Sequence, residues 1–387
     1  MTVPYWHDTT PDHEPVHADV LIVGAGISGA SVAWWLKDAG LDVAVIDRGD
    51  VCAGASGRNA GFVTCGSVEH FSRQVRTHGE DMALGLWRLS QENLSLIEEH
   101  LVADGLECAF RRAGTYSLAG GDHELTELTE TARQLDGYGM RVEVVDEAHV
   151  REHLGAHHFP GGVLYLDDGE VHPVRMVRGI LERSGARFFP HHEVRTFRAI
   201  GDGVEVVTQR RVFRASVMVL ATNGYSADLH PWFADKIYPT RGQIMVTAPV
   251  APFMSAPCYA NFVLDYFRQL ADGRVLIGGF RQLAKETEVG TADVVNPEVQ
   301  AALETFLRRH FPALADVPIE YRWSGTMGFS ADSLPIIGAL PGRSDVYLLG
   351  GYTGHGIGWG FKAGQLLARL LMHGEQPPYV SARRFGA

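Results

Sequence analysis

Cysteine is scarce in this chain: four thiols in 387 residues, Cys52, Cys65, Cys108 and Cys258, with no C-x-x-C pair. Thiols so few and dispersed exclude a disulfide framework and read as reduced side chains of a cytoplasmic protein. Basic charge is also short. Against 46 Asp and Glu stand 34 Lys and Arg, a net charge of −12, which argues against a nucleic-acid footprint. One stretch, residues 242–264, carries no charge, but Pro249, Pro252 and Pro257 interrupt it. Prolines break a spanning helix, so strand and loop are expected there and no membrane span. Acids and histidines (Asp8, Asp12, His13, Glu14) precede any apolar run, the wrong order for a secretory signal. The pairs His157-His158 and His191-His192 lack ligand companions at diagnostic spacing, so no metal is expected. Repeats and low-complexity tracts are missing.

Glycine is abundant: 44 of 387 residues, against about 7 % on average. Excess glycine marks backbone that turns tightly or approaches a ligand closely. Hydrophobic residues at 45 % and charged residues at 21 % are ordinary for a globular chain. After a polar arm over 1–17, Ala18–Val23 reads as a buried parallel strand, residues 30–38 as a helix closed by Gly40, and Leu41–Asp47 as a second strand. Helical spacing follows over 80–104, 122–138, 173–184 and 297–310. Strand patterns cover 194–197, 204–207 and 215–222, and residues 237–283 alternate as sheet. Val346–Leu349 is a strand entering a glycine-rich loop, with a helix expected from about Gly360 to His373.

Gly24-Ala25-Gly26-Ile27-Ser28-Gly29 lies directly after the first strand and opens a helix, and Asp47 ends the next strand 18 residues beyond Gly29. That is the context a dinucleotide fingerprint requires. The first glycine allows the turn, the second lets backbone approach a pyrophosphate, and the third lets helix and strand pack. The helix N-terminus offers N–H groups to phosphate, and Asp47 offers acceptors to ribose hydroxyls. Three further segments favour FAD over NAD: a donor-rich surface from Gly54 to Gly61, the strand ending at Ala221-Thr222-Asn223-Gly224, and the loop Gly350–Gly360 near the other chain end. No second G-x-G-x-x-G follows a strand, so electrons are expected to come from the substrate itself.

At these residues the chain resembles the D-amino-acid-oxidase-like (glycine/sarcosine oxidase) flavoenzymes, and within them the γ-glutamylputrescine oxidase-type amine oxidases. The matching segments are Pro4-Tyr5-Trp6, Val23–Gly29, Ala55–Gly61, Ala221–Tyr225, Arg241-Gly242-Gln243, Leu334–Gly338 and Gly351–Gly356. The resemblance implies an α/β fold of two interwoven units. A Rossmann-like FAD-binding domain takes 1–85, 145–222 and 325–387. A substrate domain takes 86–144 and 223–324, an antiparallel sheet with flanking helices. It implies oxidation of a primary or secondary amine or amino acid to an imine by hydride transfer to flavin N5, with O2 as acceptor. A dehydrogenase passing electrons to a quinone or carrier protein stays open, as do a single-Rossmann NAD enzyme and a non-enzymatic FAD-binding subunit. Arg58 stands where some relatives attach flavin to His, and Ser324-Gly325 close to where others use Cys, so non-covalent FAD is expected. Leu276 falls where sarcosine oxidases carry an oxygen-activating lysine.

Candidate cofactor-binding residues are Gly24, Ala25, Gly26, Ile27, Ser28, Gly29, Asp47, Arg48, Ala55, Ser56, Asn59, Ala60, Gly61, Val194, Ala221, Thr222, Gly224, Gly351, Gly354 and Gly356. The loop Gly350–Gly356 is expected to set backbone N–H groups against the flavin's pyrimidine edge, where reduction leaves negative charge. His355, Arg58 and Tyr352 are the catalytic candidates; His355 reads equally as a structural histidine, and Arg58 as the partner of an acid. Tyr266, Arg268 and Arg281 are candidates for the substrate side, where an arginine can anchor a carboxylate.

Overall fold

The computed structural model describes residues 14–66 and 69–386, so Pro4-Tyr5-Trp6 lies outside the described residues. Val20–Val23 is buried on both faces, the pattern of a parallel strand covered from two sides. It pairs in parallel with Val43–Ile46 and with Val212–Leu220. The main path of the first sheet runs Ile336–Ala339, Val346–Gly350, Val212–Leu220, Val16–Val23, Val43–Ile46, Arg187–Phe189. An antiparallel flap, Val194–Ile200 and Gly203–Thr208, branches from Val212–Leu220.

Two helices cross one face of this sheet, Ile27–Leu36 and Gly356–His373. Both are buried nearly all round because they pack on each other. A Cβ at Gly360 would stand 2.5 Å from Ile27 Cγ1, and one at Gly364 2.5 Å from Ser31 Cβ. Close packing therefore explains these two glycines. The helix begins at Gly356 rather than Gly360, and Gly358 in its first turn packs against the Thr64 carbonyl, where a Cβ would meet the oxygen at 2.6 Å. The first helix likewise starts earlier than expected, at Ile27, with Gly26 as its extended N-cap.

The second sheet has eight strands, in the order Ile319–Ser330, Ile237–Thr247, Val275–Gly279, Asp265–Gln269, Cys258–Ala260, Thr115–Leu118, Gly161–Tyr165, Val142–Asp146. It is antiparallel except between Cys258–Ala260 and Thr115–Leu118. Pairing of Thr115–Leu118 with Gly161–Tyr165 carries this sheet past residue 144, into the segment expected to serve the nucleotide unit. The strand Ile319–Ser330 likewise runs past 324. Conversely, the helix Glu80–Ile97 sets Leu86, Leu89, Leu94 and Ile97 into the core of the first sheet, with Ile22 and Leu367. Strand pairing and helix packing thus run across the bounds that the resemblance implies. The helix Pro297–His310 covers the second sheet through Val299, Leu303, Phe306 and Leu307. The uncharged stretch resolves into the end of one strand, a loop and Cys258–Ala260. Among the described residues no helix is long and apolar enough to cross a membrane.

Candidate functional site

A cavity of about 600 Å³ lies between the two sheets. It opens beyond the carboxyl ends of Val16–Val23 and Val212–Leu220, where ligands of open α/β sheets bind. At one end the fingerprint forms its wall. Gly24 adopts φ +114°, and a Cβ there would meet the Ala221 carbonyl oxygen at 2.6 Å. A Cβ at Gly29 would stand 1.9 Å from the Gly24 oxygen. Gly29 is thus required for packing and does not itself border the cavity, whereas Gly24, Gly26, Ile27 and Ser28 do. The N–H of Ile27 donates to Ser56 Oγ at 2.9 Å, joining the helix start to the loop 55–61.

Asp47 borders the cavity and also holds the fingerprint in shape. Its Oδ2 accepts the Ala25 N–H at 2.7 Å and its Oδ1 the Gly49 N–H at 2.8 Å. Burial pushes its carboxyl above the ordinary value, and the two N–H donors pull the other way. Ala25 therefore acts through Asp47 and does not line the cavity. The Arg48 guanidinium lies 3.9 Å from the Tyr225 ring centre, both at the cavity wall. Asn59 is spent inside its own loop, donating to the Ala55 and Ser56 carbonyls and accepting the Gly61 N–H. Ala55, Ser56, Asn59, Ala60, Gly61, Val194, Ala221, Thr222, Gly354 and Gly356 also border the cavity.

Five of the expected site residues do not. Besides Ala25 and Gly29, Gly224 packs on the Met327 carbonyl and Gly351 on Ser330. Arg268 turns its guanidinium away, donating to the Gly61 and Val171 carbonyls and pairing with Glu170 at 3.4 Å. Leu276 is likewise not at the wall; it packs with Ala60 and Phe62.

The catalytic candidates have defined partners. Arg58 pairs with Asp293 at 2.8 Å and donates to the Ser324 and Ala53 carbonyls. It clasps the loop 55–61 to the second sheet. The Tyr352 hydroxyl shares a 2.8 Å hydrogen bond with Ser28, and burial pushes its phenol up. His355 stacks on Tyr259 with centroids 5.9 Å apart. Burial lowers its imidazole to about 4, helped by the like charge of Arg281. His355 is thus neutral at neutral pH.

The other end of the cavity is lined by the second sheet: Ile244, Tyr259, Val263, Leu264, Tyr266 and Phe329. Within this apolar wall sits Arg281, half-buried, its guanidinium 4.1 Å from the Phe329 ring centre. No acid pairs with it among the described residues. Sequence reasoning missed Tyr259, Met327, Phe329 and His192, all at the wall. Tyr259 and His192 carried no local pattern. Met327 and Phe329 carried one, the alternation of Ile319–Ser330, hidden by Gly325 and Gly328.

These residues fit a bound dinucleotide. Both helix N-termini, at Gly26–Ser28 and Gly356-Ile357, border the cavity. At Gly356 the nearest atoms an added Cβ would meet belong to Tyr352, from 3.5 Å outward, ordinary van der Waals contact. Gly356 therefore leaves room on the cavity side of the helix start.

Comparison with known proteins agrees. The family model described as FAD dependent oxidoreductase matches residues 19–370. The chain is 28 % identical over 374 residues to a probable oxidoreductase, OrdL, of Haemophilus influenzae, covering 92 % of this chain and 83 % of that one. It is 28 % identical over 376 residues to the gamma-glutamylputrescine oxidoreductase of Escherichia coli, covering 93 % and 84 %. Its fold is similar to the crystal structure of glycine oxidase from Geobacillus kaustophilus, with TM-score 0.80, 22 % identity and coverage of 92 % and 95 %. It is similar also to L-proline dehydrogenase from P. horikoshii, with TM-score 0.81, 18 % identity and coverage of 96 % and 98 %. The chain belongs to the family of FAD-dependent oxidoreductases, and its cofactor is FAD.

Proposed function

We propose that this enzyme oxidises a primary or secondary amine or amino acid that carries a carboxylate, giving an imine, and passes the electrons to O2. The observation that carries this reading is Arg281, a cation without an acidic partner among the described residues, set in an apolar, aromatic wall of the cofactor cavity. A desolvated guanidinium has a strong demand for an anion. γ-Glutamylputrescine, glycine and proline, named for relatives and fold neighbours, each hold an amine and a carboxylate.

FAD, when bound, supplies the acceptor for the hydride equivalent leaving the carbon next to nitrogen. The protein's part is orientation and charge. Arg281 anchors the carboxylate. Tyr259, Tyr266, Val263 and Leu264 exclude water around the substrate. Neutral His355 and cationic Arg281 set no negative charge beside the amine, which favours its reactive, uncharged form. The Gly354–Gly356 backbone and the following helix N-terminus offer donors where negative charge develops. Asp47, Arg48, Val194 and the fingerprint hold the adenosine half. The resemblance puts Arg58 where some relatives attach flavin to His, and none of the four cysteines borders the cavity, which supports FAD held without a covalent bond. The four unpaired cysteines suit a cytoplasmic location.

The test is a panel of amines with and without a carboxylate, read by anaerobic loss of flavin colour and by O2 uptake. Arg281→Met should weaken binding of carboxylated members by about 10–100-fold, the worth of one charged hydrogen-bonding interaction of roughly 1.5–3 kcal/mol. Bleaching by uncharged amines alone would contradict the anchor. Anaerobic bleaching without O2 uptake would assign the electrons to another acceptor.

A further inference from the structure

Two turns of the second sheet deliver residues to the substrate end of the cavity, and one buried carboxylate holds both. The first turn joins Cys258–Ala260 to Asp265–Gln269 and brings Val263 and Leu264 to the wall. The second follows Val275–Gly279 and brings Arg281. Asp265, with none of its surface exposed, accepts the Phe280 N–H at 2.7 Å and the Asn261 side-chain amide at 2.5 Å.

The backbone at both turns is forced. Asn261, Phe262 and Val263 are three successive non-glycine residues with φ of +52°, +57° and +66°, and Phe280 has φ +58°. Gly279, at φ +125°, packs so closely that a Cβ would meet Asp265 Oδ1 at 2.5 Å. L-residues persist in this region only where the surroundings over-determine them, and such outliers gather at functional sites. Here the surroundings are specific. Glu124 accepts the Phe262 and Gly120 N–H groups, Arg73 lies 4.4 Å from the Phe262 ring centre, and Asp265 ties the two turns together. A buried carboxylate is costly unless hydrogen-bonded, and here the donors that satisfy it come from both turns, Asn261 from the first and Phe280 from the second.

We propose that Asp265 is a positioning residue: it fixes the backbone just before Arg281, aims that guanidinium into the cavity, and thereby sets the preference for carboxylated substrates. This rests on Arg281 being the carboxylate anchor. Asp265 does not itself line the cavity.

The test uses the holoenzyme and two matched probes, hexanoate and hexan-1-ol, titrated against the visible spectrum of the oxidised flavin. The readout is the ratio of the two dissociation constants, which a general loss of stability does not move. The wild type should favour hexanoate by tenfold or more, and Arg281→Met should abolish the preference. Asp265→Ala should reduce the ratio to within threefold of the Arg281→Met value. Asp265→Asn, whose carbonyl oxygen still accepts the Phe280 N–H, should stay within threefold of wild type. Phe280→Gly frees the same turn without touching the carboxylate and should lower the ratio at least threefold, which keeps the test open if Asp265→Ala fails to retain FAD. A wild-type ratio in Asp265→Ala or in Phe280→Gly overturns the proposal, as does a collapse in Asp265→Asn. No preference in the wild type would instead overturn the Arg281 reading beneath it.

Discussion

The hydroxyl groups of Ser28 and Tyr352 lie 2.8 Å apart in the buried interior, although 324 residues separate them in sequence. Ser28 is in the first turn of the helix that the fingerprint opens, and Tyr352 lies in the glycine loop Gly350–Gly356 near the other end of the chain. The bond locks the two helix N-termini that border the cavity into one frame. Tyr352→Phe leaves the Ser28 hydroxyl buried without this partner, a cost of about 1–3 kcal/mol. The melting temperature should fall, and Ser28→Ala in the same background should add less than it does alone. Additive effects in that double-mutant cycle would show that the bond carries no coupling.

Asp47 has two tasks, since the carboxylate that faces the cavity also accepts the Ala25 and Gly49 N–H groups. Asp47→Ala should raise the FAD dissociation constant at least about tenfold, equal to 1.4 kcal/mol, and loosen the loop even without FAD. Asp47→Asn keeps an acceptor and should fall between. Equilibrium titration of apoprotein with FAD measures both. Unchanged affinity in the alanine variant would remove Asp47 from the site.

The glycines divide by what a side chain would meet. At Gly29 a Cβ strikes backbone at 1.9 Å, whereas at Gly356 it meets nothing of the protein nearer than 3.5 Å. Gly29→Ala should therefore destabilise the apoprotein itself. Gly356→Val should leave the apoprotein's stability within about 1 kcal/mol of wild type and weaken FAD tenfold or more by filling the cofactor's space. Thermal melts with and without FAD separate the two. Full FAD affinity in Gly356→Val would mean that the C-terminal loop does not approach the cofactor.

His355 gives a pH signature. Its folded-state value is lowered from 6.5 to about 4 by burial, so the unfolded chain binds the proton more readily. The stability this neutral ring contributes is present above about 6.5 and is lost as pH falls toward 4. Between pH 7 and pH 5 the wild type should lose roughly 2 kcal/mol more than His355→Gln, because the difference between the two isolates this ring from other acids. Parallel stability curves over that range would show that the imidazole protonates freely in the folded state.

The nucleotide end of the site was legible because it is local. Strand, glycine turn, helix and Asp47 lie within one short stretch, and each has a backbone reason for its residue type. The substrate end is assembled by pairing between distant strands. Period two puts Tyr266 and Arg268 on the same face of Asp265–Gln269, so sequence offered both to the substrate. Only the fold separates them, because Gly61 and Val171 present carbonyls to Arg268 while Tyr266 reaches the cavity. Arg58 shows the same limit: its acid, Asp293, comes from a loop more than two hundred residues away. The strand Ile319–Ser330, with its glycines, escaped the alternation reading, and Met327 and Phe329 escaped with it.

The most direct measurement is anaerobic mixing of the purified yellow enzyme with a carboxylated amine series, following flavin absorbance in wild type and Arg281→Met side by side. The account predicts that at least one carboxylated amine bleaches the wild-type flavin within seconds, that its amine lacking the carboxylate does so far less well, and that Arg281→Met erases the difference. A flavin that dithionite reduces but no amine or amino acid bleaches would contradict the account.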